Sequence, residues 1–136
     1  NSMLTNIDGV FACGNVVHVH DLVDFVTKES RIAGKNAAKY CLNKLENNET
    51  INTVAGEGIG YIVPQNVDRN SNEDINLFMR VRNIYKNKKL VVRSNDKVVL
   101  EKKRLHMIPS EMESINIKTD ILKNITGNIT VSVEEA

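Results

Sequence analysis

Apolar positions along this chain change their period once, and the change divides it in two. From Leu22 onward, apolar or small residues recur at Leu22, Val26, Ala33, Ala37, Tyr40 or Cys41, and Leu45, close to the 3.6-residue repeat of a helix. Asp21 is placed to cap the first turn, and Asp24 adds negative charge where the helix dipole is positive. Lys39 and Lys44 suit the opposite end. The pattern is expected to stop in Glu46-Asn47-Asn48-Glu49, which carries no apolar stripe. Gly34 costs such a helix about 1 kcal/mol relative to Ala, so close packing is expected there. Ahead of the helix, Val10 to Cys13 reads as a short apolar strand running into Gly14.

After a polar linker around Asn47 to Thr53 the repeat becomes two. Ile75, Leu77, Met79 and Val81 alternate with Asn76, Phe78, Arg80 and Arg82, as in a half-buried strand. Leu90-Val91-Val92 and Val98-Val99-Leu100 flank Ser94-Asn95-Asp96-Lys97, which predicts a hairpin with an Asn/Asp turn. Leu105, Met107 and Ile108 lead to a turn at Pro109. Gly60 to Val63, Met112 to Lys118 and Ile129 to Val133 complete about seven short strands, a spacing that suits a sandwich. The expected fold class is α+β, mainly β. Residues 1–50 supply strand, loop and long helix, and residues 51–136 a small antiparallel, immunoglobulin-like β-sandwich. The stripe Leu22, Val26, Ile32, Ala33, Ala37, Cys41 and Leu45 is wider than a lone helix needs. At about 25 cal/mol per Å2 its exposure would forgo several kcal/mol, so burial against the β-domain or a second copy is expected.

Composition narrows the function classes. The 136 residues suit one domain, or a small domain with an appendage. Aromatics are 4% and Trp is absent, so the core must rest on Val, Ile and Leu. No apolar run approaches the ~20 residues that span a bilayer. Asn1-Ser2-Met3-Leu4 does not read as a signal peptide, and a cytoplasmic location is expected. Cys13 and Cys41 lie far apart without C-x-x-C spacing, which argues against a disulfide framework, a structural zinc site or a redox dithiol. Cys13 reads as a small hydrophobe in a buried strand. Glycosylation-like triplets at Asn48, Asn124 and Asn128 are read as chance. Net charge is +1, yet Ile75 to Ile108 holds ten basic residues against Asp96 and Glu101. Only Phe78 and Tyr85 could interleave as aromatics, so nucleic acid is not the expected partner. A solvated sheet face or docking of an acidic protein remains.

Two places suit ligand chemistry. Gly14 after an apolar strand allows close approach of a ligand to the backbone. Amides after Gly14, and those of the helix start near Leu22 to Phe25, can face anionic or electron-rich atoms. His18-x-His20-Asp21 offers two imidazoles and a carboxylate, but alternate residues share a face only if extended. No third ligand cluster accompanies them and His106 is remote, so no metal is expected. The two histidines are left as structural or as lining a ligand pocket. Gly56-Glu57-Gly58-Ile59-Gly60 lacks the strand before and helix after that a phosphate loop requires, and reads as the lead-in to a strand. Gly-x-Gly-x-x-Gly is absent from the chain.

The segment Thr5 to Asn15 resembles the second flavin-binding motif of the FAD-dependent pyridine-nucleotide oxidoreductases, the thioredoxin-reductase-like flavoproteins. Gly14 to Phe25, Ala33 to Ala38, Gly60 to Gln65 and Arg80-Val81-Arg82 are similar to a subgroup of NAD(FAD)-dependent dehydrogenases. The resemblance implies that residues 1–50 are the C-terminal remnant of a Rossmann-like FAD domain. It implies flavin contacts from Gly14, Asn15, Asp21, Leu22, Val23 and Phe25. Asn15 stands where the family has an acid that bonds the ribityl chain, and an amide oxygen still accepts. FAD is the cofactor implied, with NAD or NADP held outside this chain. The partners implied are the rest of the flavoprotein upstream and a protein subunit or second copy. No acid, base or nucleophile is identified, so the chain alone is expected to be inactive. The alternative is a non-enzymatic β-sandwich interaction module for an acidic protein partner.

Overall fold

The computed structural model describes residues 2–45 and 49–136, and these form two compact units, one in each range. In the first, the strand expected over Val10 to Cys13 does not form. Regular pairing there is limited to one antiparallel bridge, Leu4 with Phe11. The amide of Thr5 donates to the Val10 carbonyl at 2.8 Å, that of Ala12 to Met3 at 2.9 Å, and that of Val10 to Ile7 at 3.1 Å. The chain thus folds back on itself within ten residues, too soon for a ladder to extend. A 3-10 turn, Gly14–Val16, follows.

Helix α1 spans Val23–Cys41. Its N-cap is Leu22 and not Asp21, and no side-chain cap bond closes the first turn. Asp24 and Lys39 do lie in the first and last turns, where the dipole favours them. The helix ends before Leu45 because Asn43 enters the left-handed region at φ 53°. The amides of Asn43 and Lys44 then take the Tyr40 and Lys39 carbonyls. The stop expected over 46–49 falls largely outside the described residues.

The phase of the stripe is right and its cover is partial. Ala33 is buried, Val26 and Ala37 are half-buried, and Lys28, Lys35 and Lys39 are exposed. The preceding loop supplies cover within this unit: Phe11 meets Tyr40 edge-on at 6.1 Å, and the Tyr40 hydroxyl donates to Asp8 Oδ2 at 2.7 Å. Leu22, Ile32 and Cys41 stay exposed, contrary to the expected burial. Gly34 is not a packing point either, since a Cβ there would meet nothing within 4 Å.

The second unit holds eight strands: β1 Thr50–Ala55, β2 Ile59–Val63, β3 Asn66–Asp68, β4 Ile75–Val81, β5 Tyr85–Ser94, β6 Lys97–Met107, β7 Glu113–Ile117 and β8 Ile129–Glu135. They form a five-stranded sheet ordered β3-β1-β8-β5-β6 and a three-stranded sheet ordered β2-β4-β7. One core lies between them. Ile59, Leu77, Met79, Ile115 and Ile117 come from the smaller sheet, and Val67, Leu90, Val92, Ile129 and Val131 from the larger. The alternation read in β4 holds, with Ile75, Leu77, Met79 and Val81 all buried. The β5–β6 hairpin closes through Asn95 and Asp96, both at positive φ, the twist that a two-residue loop needs to match its strands.

Three features depart from the expected sandwich. The sheets are not wholly antiparallel, since β1 runs parallel to β8. Strand β1 occupies part of the segment read as a linker, because Thr50-Ile51-Asn52-Thr53 alternates too weakly to stand out. The segment between β7 and β8 contains a one-turn helix, α2, Thr119–Lys123, whose Leu122 joins the core. The Gly56–Gly60 segment therefore does have a strand before it, but β2 follows in place of a helix. Gly58 at φ 79° allows this reversal, and a Cβ there would meet the Tyr85 hydroxyl at 2.8 Å. No helix among the described residues is long and apolar enough to cross a membrane.

Candidate functional site

Helix α1 turns one charged residue inward. Val26, Glu29, Ala33, Ala37 and Tyr40 follow helical spacing, so Glu29 sits in the apolar stripe and is 3% exposed. A buried carboxylate costs several kcal/mol unless donors surround it. The loop before the helix supplies them. The Gly14 amide donates to Glu29 Oε2 at 2.8 Å. His18 Nε2 lies 2.9 Å from Oε1 and His20 Nε2 lies 2.9 Å from Oε2.

Gly14 takes φ 70° to make this turn, a conformation that costs other residues about 1–2 kcal/mol. The two imidazole rings come within 4.1 Å of each other, and Phe25 stacks on His20 at 6.0 Å. Burial pushes the Glu29 carboxyl up, but the hydrogen bonds from His18, His20 and the Gly14 amide bring it below its ordinary value. The carboxylate therefore stays charged and ties the loop to the helix.

The residues singled out for the flavin fall into two groups. Gly14, Asn15 and Phe25 converge on the histidine pair: the His20 amide donates to Asn15 Oδ1 at 3.3 Å, and Phe25 covers the ring. Asp21, Leu22 and Val23 form an exposed rim where the loop enters α1. Gly14's own amide is committed to Glu29 and does not point into open space. Glu29 is the functional residue the sequence reading missed. Its signal was a charge at a stripe position, which calls for a partner from elsewhere.

The expectation that no third ligand accompanies His18 and His20 is corrected by the same residue. One ligand atom from each of His18, His20 and Glu29 lies within 4.8 Å of the other two. Cys13 is half-buried in irregular chain, not in a strand, with its Sγ 3.7 Å from Ser30 Oγ. Cys41 is exposed.

Four basic side chains of β5 and β6 are paired with acids of their own unit. Lys88 pairs with Glu135, Lys89 with Glu101 at 3.0 Å, Arg93 with Glu134, and Arg104 with Glu113 at 2.6 Å. Glu113, Glu134 and Glu135, from β7 and β8, thus offset part of that positive charge. Arg93, followed by Ser132, holds the Glu134 carboxyl down at about 2. An unfolded Glu titrates near 4.3. The pair therefore stabilises the fold fully above that pH and loses its effect as pH falls toward 2. Denaturant midpoints measured from pH 6 to pH 2 should show Glu134→Gln converging on wild type at the acid end. The effect is small because the pair is about one-third exposed to solvent.

Compared with protein-family models, curated proteins and solved structures, the chain matches none of them.

Proposed function

We propose that this chain is the C-terminal part of a cytoplasmic FAD- and NAD(P)-dependent oxidoreductase. Residues 2–45 form one wall of the flavin site, residues 49–136 are a β-rich accessory domain, and the chain alone is inactive. The observation that carries this reading is the surface of the first unit. The rim residues Leu22 and Val23 are 59% and 74% exposed and Val16 in the preceding turn 82%, on a loop tied to α1 through Glu29. Large apolar side chains held open on a rigid loop suit a face that a bound ring system and neighbouring chain cover. The first turn of α1 has no side-chain cap and its Phe25 amide donates to the Leu22 carbonyl at 3.2 Å, so the Val23 and Asp24 amides are those that would face electron-rich ligand atoms.

The resemblance of Thr5 to Asn15 supports FAD as the cofactor, and the exposed rim supports a contact with it there. Asn15 bonds the ribityl chain through its amide, while the NAD(P) site and the reacting groups belong to the upstream part. A polypeptide carrying this chain together with its upstream sequence should purify yellow and release FAD on denaturation. Asn15→Ala should weaken FAD retention without unfolding the protein. A colourless full-length protein that cannot be reconstituted with FAD would remove the proposal.

A further inference from the structure

We propose that His18, His20 and Glu29 bind one first-row divalent metal ion, zinc being the best match, through two imidazole nitrogens and the carboxylate. The inference stands apart from the flavin reading, since the three groups belong to one unit and need no cofactor to meet. Two imidazoles and a carboxylate are a donor set that suits zinc and its first-row neighbours, not calcium or magnesium, which prefer oxygen.

The spacing suits an ion as well. Bonds of about 2.0–2.1 Å in a tetrahedral arrangement set neighbouring ligand atoms about 3.3 Å apart. Each imidazole Nε2 lies 2.9 Å from a Glu29 oxygen, and one donor atom from each residue lies within 4.8 Å of the other two, so side-chain adjustment within the cluster brings them onto one ion. The entering ion displaces the N–H protons that face the carboxylate. A neutral ring takes that proton on Nδ1, an imidazolium keeps its Nδ1 proton and releases the other to water, and either ring then presents the Nε2 lone pair. Glu29, holding both oxygens toward the pair, can supply one or two of the bonds, and water completes the shell.

The surroundings are those of a built site. The His18, His20 and Glu29 side chains are 2%, 0% and 4% exposed, so an ion there would be shielded from bulk water. The Gly14 amide fixes Oε2 from outside, the kind of outer-shell bond that orients a metal-binding carboxylate. Phe25 stacks on the His20 ring and helps to set its plane. Two ligands come from the loop and one from α1, so the ion would cross-link the segments that the Glu29 carboxylate already joins.

Titration of the chelator-treated full chain with zinc, followed by calorimetry and thermal unfolding, tests the site. One ion per chain and a raised melting temperature are expected. His18→Ala and His20→Ala should each weaken binding by more than about 100-fold, above the ~10–100-fold typical of outer-shell groups. His106→Ala, on β6 in the other unit, should leave it unchanged. X-ray absorption on the zinc-loaded wild type should show only nitrogen and oxygen neighbours, with two imidazoles. Absence of saturable binding by the wild type, equal binding by both alanine variants, or sulfur in the metal's shell would each overturn the site. Where an alanine variant does not fold, the wild-type titration and absorption spectrum decide alone.

Discussion

Replacing Leu90 by Ala should cost the β-rich unit about 2–5 kcal/mol, the range for removing a large aliphatic side chain from a closed core. Leu90 is 0% exposed on β5, an inner strand of the larger sheet, opposite Val133 on β8 and Lys102 on β6. It belongs to a core drawn from both sheets, so closing the cavity left behind would require both to shift. Small domains are stable by only about 5–15 kcal/mol, which makes this a large fraction of the total. Urea unfolding should show a lower midpoint with an unchanged slope. Leu105→Ala is the control: that residue is 83% exposed on β6, and its removal should change stability by less than about 0.5 kcal/mol. Equal effects at the two positions would mean that the strand faces are misassigned.

The second large effect is expected at Glu29. Removing one partner from a buried charged cluster costs about 3–5 kcal/mol, because the remaining groups keep their desolvation and lose their bond. Glu29→Ala takes the acceptor from the Gly14 amide and from both histidines at once. Glu29→Gln keeps one accepting oxygen but turns an NH2 toward a donor, so it should fall between wild type and Ala. The loss should be confined to the first unit. Hydrogen exchange of the Gly14 amide and the α1 backbone should accelerate, while the β5 and β8 amides hold their protection. Loss of protection across both units would show that Glu29 supports more than the loop.

The two substitutions separate what the sequence displays from what it conceals. Leu90 belongs to an apolar run bounded by Asn95-Asp96, and Ile75 to Val81 alternates cleanly. Such periods report which face of a local element is wet, and they do so without knowledge of its neighbours. The hairpin turn was equally legible, because positive φ at two successive positions selects Asn and Asp through local sterics. Strand β1 escaped notice because its polar residues are carried by pairing with β3 and β8, and β8 lies more than seventy residues later in the chain. The single turn of α2 is held by Leu122 and Ile125 in the core, too few positions to establish a helical period.

The candidate site shows the same boundary at the level of single residues. His18 and His20 stood out by their spacing, and Gly14 by the motif around it. Glu29 was visible only as a charge in a stripe, and the stripe's period says which way a side chain points, not what waits there. By itself the sequence determined the mainly β character, the inward face of β4 and the phase of α1. Tertiary structure alone decided that β1 runs parallel to β8 and that Gly14, His18 and His20 close on one carboxylate. Periodicity is a property of neighbours along the chain, whereas a buried charge is settled by donors that only folding brings within 3 Å.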